Sequence, residues 1–162
     1  MASRLCISML VALLFTACNS NVVYTEYKTL NNGIWSNADT LDFKIKDLDS
    51  TAYYNLFLNV RNDNDYEFSN LFLITKLIKP NQQVQVDTLE YEMALPNGEW
   101  LGTGRGSTKE NKLWLRENIK FPDSGVYTLK VQHAMRKNGM VEGMQRLKGI
   151  TDVGLQLETI QE

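Results

Sequence analysis

The side chains able to act as nucleophiles, general bases or metal ligands are few in this chain. It has one histidine, His133, and two cysteines, Cys6 and Cys18. A Ser-His-Asp or Cys-His arrangement would have to be built on His133. That residue shares a strand phase with Tyr127, Leu129 and Val131, where packing is the default role. A zinc site needs three or four Cys, His or carboxylate ligands, more than one histidine and one retained cysteine can start. The stretch NDND (62–65) alternates acids and amides, but lacks the sixth-position glycine and later glutamate of a calcium loop, so it reads as a polar loop. GTGRG (102–106) has the glycines of a phosphate cradle without the Lys-Ser/Thr ending or a following helix, and reads as a flexible loop. Among 19 acidic residues no two stand out as a glycosidase pair. The reading is a non-enzyme with no cofactor and no metal site. Trp35, Trp100 and Trp114 would suit a sugar platform if exposed; closing a core is the commoner role.

The sharpest chemical signal is Cys18, in LLFTACNS (13–20). Met1 to Arg4 is a short positive head, and Leu5 to Phe15 is almost entirely apolar. That run has the length of a signal-peptide core and is too short for a resident transmembrane helix. Thr16 and Ala17 are small, as a peptidase requires. Leu14-Phe15-Thr16-Ala17-Cys18 resembles the lipobox of bacterial lipoproteins, with Phe15 where leucine is commoner. In that class the cysteine sulfur receives a diacylglycerol, the chain is cut just before it, and the new amino terminus is acylated. The resemblance implies a lipoprotein signal peptide over 1–17, lipidation (palmitate among the acyl chains) at Cys18 and a lipidated tether over 18–24. The alternative, a plain thiol after an ordinary signal, leaves an unpaired cysteine in an oxidising envelope. Cys6 leaves with the leader, so no disulfide is expected. At ~0.8 kcal/mol per buried CH₂, two or more chains hold a protein on a membrane stably.

The remaining residues, 25–162, suit one domain with a real core. The net charge of −2, one unit more negative once Arg4 is removed, gives no footprint for nucleic acid or for an electrostatic hold on anionic lipid. Nothing after Cys18 is apolar for long enough to cross a membrane, so membrane contact is expected through the acyl chains on Cys18. Leu41, Phe43 and Ile45 alternate with Asp42, Lys44 and Lys46, as in a half-buried strand. Tyr54, Leu56, Leu58 and Val60 share one face of the next strand; Tyr53, Asn55, Phe57, Asn59 and Arg61 share the other. LFLITKLI is apolar on both faces, which places it centrally in a sheet. Val84 and Val86 alternate in one phase and Leu89, Tyr91 and Met93 in the other, which predicts a bulge near Asp87–Thr88. KLWLRENIKF, VYTLKVQHAM and VGLQLETI supply further strands, with a helical turn over 110–117 as the alternative for the first. Turn signals at this spacing, without a long 3.6-residue period, predict a single antiparallel β-sandwich.

Asp123-Ser124-Gly125-Val126-Tyr127 has the D-x-G-x-Y form of a tyrosine corner, where a hydroxyl bonds back to the backbone just upstream. It points to an immunoglobulin-like sandwich, with Leu129 at the place of the second disulfide cysteine; a chance turn before a strand is the alternative.

Several long blocks extend the comparison: YNLFLNVRNDNDYEFSNLFLI, DTLEYEMALPNGEWLGTGRG, ENKLWLRENIKFPDSGVYTLKVQHAMRKNG and LKGITDVGLQLE, behind a lipobox. In this order they resemble the GldH family of gliding-motility lipoproteins of the Bacteroidota, over nearly all of residues 18–158. The resemblance implies a lipid-anchored, non-enzymatic component of the gliding or envelope machinery, with envelope protein partners and no catalytic residues to carry over. A glycan- or ligand-binding envelope lipoprotein is the alternative, and a hydrolase a distant third. In that phylum, surface-exported lipoproteins tend to carry acids just after the lipidated cysteine. Here Asn19-Ser20-Asn21-Val22-Val23 follows, with the first acid at Glu26. That favours a domain on the outer membrane facing the periplasm.

Residues 97–110 form the most loop-like long segment. They combine an anchor-sized aromatic, Trp100, with a fork-shaped donor, Arg105, and with glycines that let backbone approach a partner. Trp100 and Arg105 are therefore the candidate partner-binding residues. The competing reading is that Trp100 plugs one end of the core.

Overall fold

The computed structural model describes residues 21–160. Ten strands run through them: β1 Val22–Thr29, β2 Ile34–Ser36, β3 Leu41–Ile45, β4 Tyr54–Asn62, β5 Asn70–Ile78, β6 Val84–Glu92, β7 Lys109–Ile119, β8 Tyr127–His133, β9 Arg146–Lys148 and β10 Ile150–Thr159. Eight of them make two four-stranded antiparallel sheets, ordered β1-β10-β4-β7 and β3-β8-β5-β6. The short β2–β9 ribbon closes one end.

Alternation decides which residues meet between the sheets. Leu56, Leu58 and Val60 of β4 lie beside Leu157, Leu155 and Val153 of β10. They face Phe43, Ile45, Leu71, Leu73, Leu129 and Val131 of the opposite sheet in one buried cluster. Successive residues of a strand point to opposite faces, so each apolar set is committed to the interior as a block. LFLITKLI lies in β5, between β8 and β6, as its two apolar faces required.

The sandwich is as expected, but its topology is not immunoglobulin-like. There the first two strands lie side by side in one sheet; here β1 and β3 lie in opposite sheets. The pairs β1–β10, β3–β8, β4–β7 and β5–β6 are nested, as if one long hairpin with its tip at β5–β6 had been rolled up. That is the jelly-roll arrangement. The tyrosine corner itself is present: the Asp123 N–H donates to the Tyr127 hydroxyl at 2.9 Å. It is a local motif, and it does not dictate which strands pair.

Two further expectations are corrected, and the strand reading of 110–117 holds against its helical alternative. The β5–β6 register runs unbroken from Asn70↔Glu92 to Ile78↔Val84, so no bulge occurs near Asp87–Thr88; Val84 and Val86 simply point outward. Residues 110–117 are strand, within β7. Val22 to Tyr24, counted in the tether by sequence, already belong to β1.

The nesting also fixes two ends. The connections 30–40, 63–69, 93–108 and 134–149 gather at one, the loop end. Asn21, Ile160 and the connections 46–53, 79–83 and 120–126 gather at the other; the Thr159 N–H donates to Asn21 O at 2.8 Å and the Ile160 N–H to Tyr53 O at 3.0 Å.

Tyr127→Phe removes the acceptor for the buried corner. It should lower stability by about 1 kcal/mol, seen as a melting temperature reduced by about 3 °C. Asp42→Asn, which loses only a half-exposed pairing with Lys130, should change stability by less than about 0.5 kcal/mol. Equal melting of Tyr127→Phe and the parent would remove the corner as a stabilising element.

Candidate functional site

The loop end is built on a plug. Trp35 of β2 and Leu147 of β9 are paired and fully buried, and the indole N–H of Trp35 donates to Asp39 O at 3.0 Å. Gly149, at φ +82°, lets two connections touch: the Asp63 N–H donates to its carbonyl at 2.9 Å, and a Cβ there would lie 2.1 Å from Tyr66 N. The NDND segment folds as a turn, with Asp63 Oδ1 accepting from the Asp65 N–H at 2.9 Å.

Trp100 and Arg105 sit on two successive tight turns. Ala94 bridges to Trp100 and Thr103 to Glu110, so residues 93–110 are stapled twice. The Trp100 ring is half-buried against the core, 6.2 Å from Tyr66. Tyr66 is itself held by donation to Asn70 O at 2.7 Å, and burial pushes its phenol pKa up. Trp100 therefore does plug the end. Arg105 is exposed, next to Gly104 at φ +152°, where a Cβ would meet Thr108 O at 2.4 Å. Gly102 likewise abuts the Asn111 amide. Both glycines permit close approach of the loop to its own chain, which corrects the reading of GTGRG as a flexible loop. At the same end of the sandwich Leu95, Leu101, Met140 and Val141 are exposed, Val141 at 81%. The last two lie in NGMVEG, a loop whose glycines were legible but whose exposed apolar pair was not singled out.

A second surface lies on the outer face of β1-β10-β4-β7. Trp114 is 50% exposed there and stacks obliquely on Phe57 at 4.3 Å, while Lys112 Nζ sits 4.0 Å from the Phe57 ring centre. These two cover Phe57, so a residue on the face opposite Leu56 and Leu58 is buried as well. Lys112 pairs with Glu158 at 2.6 Å, Gln156 donates to the same carboxylate at 2.6 Å, and Asn59 donates to Gln156 at 2.7 Å. The parity of Leu113 and Leu115 was the signal that turns Trp114 outward.

Similarity to known proteins decides the family. A family model described as GldH lipoprotein matches residues 22–157. The chain belongs to the GldH lipoprotein family. It is 51% identical over 146 residues to the gliding motility lipoprotein GldH homolog of Christiangramia forsetii, covering 90% of this chain and 89% of that one. It is 41% identical over 152 residues to the gliding motility lipoprotein GldH of Flavobacterium johnsoniae, covering 94% of each. Solved structures overlay only loosely: the VP2 subviral particle of infectious bursal disease virus does so at a TM-score of 0.36 and 13% identity, covering 85% of this chain and 30% of that one. Membership in the GldH family makes this a membrane-anchored lipoprotein of the cell envelope. Cys18 lies outside the described residues.

In this GldH-family domain the lone histidine is a core residue. His133 is 3% exposed, packs edge-on to Trp35 at 5.5 Å, and neither ring nitrogen has a hydrogen-bond partner among the described residues. Burial lowers its pKa from 6.5, outweighing the nearby Trp35 backbone, which is outside bonding geometry. The folded state thus holds His133 neutral while the unfolded chain takes up a proton below 6.5. The stability present above that value is lost as pH falls through it. Urea midpoints should therefore drop between about pH 7.5 and 5.5, with a shallower drop in His133→Phe. An unchanged slope would assign the pH dependence to other groups.

Trp100→Ala should cost about 2 kcal/mol or more, because it opens the plugged end. Arg105→Ala should leave melting within about 0.5 kcal/mol of the parent. Equal melting of the two variants would show that Trp100 does not close the core.

Proposed function

We propose that this chain is a non-enzymatic component of the gliding or envelope machinery, anchored by acyl chains on Cys18 and working through protein contacts. The match over residues 22–157 to relatives named for gliding motility carries this reading. The nested topology supports it: Asn21, three residues after Cys18, is at the end of the sandwich opposite the loop end. A protein held at Cys18 presents Trp100, Arg105, Met140 and Val141 away from its membrane. Among these, Arg105, Met140 and Val141 are exposed and free to meet a partner, and Trp100 is half-buried against the core. The absence of acids from Asn19 to Val23 supports an outer-membrane anchor with the domain in the periplasm. Burial of the lone histidine supports a role without catalysis.

One observation favours a second reading, glycan binding: the half-exposed indole of Trp114 is flanked by Lys112, Gln156 and Glu158, side chains suited to sugar hydroxyls.

Cys18→Ser should abolish labelled palmitate incorporation and leave the precursor uncut, since a hydroxyl does not replace the sulfur nucleophile. Photo-crosslinking from position 141 in cells should capture a defined envelope protein, and Arg105→Ala should weaken the capture while melting stays normal. Palmitate retained in Cys18→Ser refutes the anchor. Quenching of Trp114 fluorescence by oligosaccharide, with crosslinking from 141 absent, replaces protein contact by glycan binding.

A further inference from the structure

The large exposed apolar residues are not spread evenly. Leu95, Leu101, Met140 and Val141 lie at the loop end, and Trp114 and Val86 on sheet faces. Val22, Val23, Tyr53, Val84, Val126 and Ile160 rim the opposite end. Scattered exposed apolar residues need no explanation; a set gathered at one end does. The rim joins both sheets. Ile160 and Tyr53 are hydrogen-bonded neighbours, and Gly125, next to Val126, packs against Pro80.

We propose that this rim rests on the membrane leaflet that holds the anchor, so that the sandwich stands on its lipid end with the strands running away from the bilayer. The inference rests on acylation of Cys18, proposed above. Its argument is chain length. Four residue steps separate Cys18 from Val22, the first residue of β1. Fully extended they span at most about 14 Å. The bilayer surface is therefore the enforced neighbour of this end, and a partner protein would have to fit into that gap.

The chemistry of the rim fits an interfacial depth. Tyr53 is 42% exposed, and Lys120 Nζ lies 4.2 Å from its ring centre. An apolar body with a polar tip beside a flexible cation is the pairing found at headgroup level. Lys46, Lys79 and Lys120 are matched at this end by Asp47, Asp49 and Asp123, so the rim has no net attraction to anionic lipid. Acyl chains supply the affinity. The rim needs only to bias orientation, and the tether keeps its local concentration high.

The test uses the lipidated full-length protein in phosphatidylcholine vesicles, with one environment-sensitive label per sample at Val23→Cys, Val126→Cys or Val141→Cys. Flotation with vesicles reads the anchor, and iodide quenching reads the docking. Docking predicts quenching slowed several-fold at positions 23 and 126 relative to an unlipidated Cys18→Ser chain begun at residue 18, which carries neither the leader nor Cys6, with position 141 unchanged. The pattern should persist when anionic lipid is added. Tyr53→Asp combined with Val84→Asp should reopen position 126 while flotation remains. Flotation with all three labels equally open, or with position 141 shielded instead, overturns the docking and leaves the anchor standing. Failure of the parent protein to float overturns both.

Discussion

Nested antiparallel pairing is the constraint on which the rest of this structure depends. Once β5 and β6 form the innermost hairpin, β4–β7, β3–β8 and β1–β10 can only pair outward in turn. Each pairing brings together strands further apart in sequence, and the cost of closing such loops is recovered only when the two apolar faces meet. The single buried cluster spanning both sheets is the term that makes the roll stable. Its consequence for function is geometric: the start of the described chain and the long connections are driven to opposite ends.

Polar contacts at the sandwich margins refine this arrangement. Arg116 of β7 pairs with Asp87 of β6, and Tyr91 donates to the Trp114 carbonyl at 2.7 Å, tying together the two edge strands that belong to different sheets. At the other margin Lys28 and Tyr24 both donate to Glu26, which holds that carboxyl below its ordinary range. Lys28 also lies 5.9 Å from the ring centre of Phe43 across the sandwich. These groups are partly exposed, so each contributes little stability; their effect is to set how the margins close.

The same closure separates packed from exposed residues at the loop end. At the loop end, Trp35, Leu147, Tyr66 and Trp100 are packed and pinned, while Arg105, Met140 and Val141 project from them. Residues that bind other molecules are well served by such mounting, because less freedom is lost when they engage.

The sequence alone determined what is local. Alternation in LDFKI, YYNLFLNVRN and VYTLKVQH committed their apolar residues to one interior, and PDSGVY predicted the corner bond that Tyr127 accepts. The apolar leader ending at Cys18, together with the ordered blocks, pointed to the lipoprotein family. Tertiary structure decided what is not local. Which strand pairs with which separates a jelly roll from an immunoglobulin topology, and that choice lies in contacts between residues far apart in sequence. Phe57 is buried only because Trp114 and Lys112 of another strand lie over it. Gly104 and Gly149 are needed only because their own chain returns to within touching distance. Side-chain direction repeats every two residues and can be read from any strand alone, whereas neighbours across a sheet exist only after the whole chain has closed.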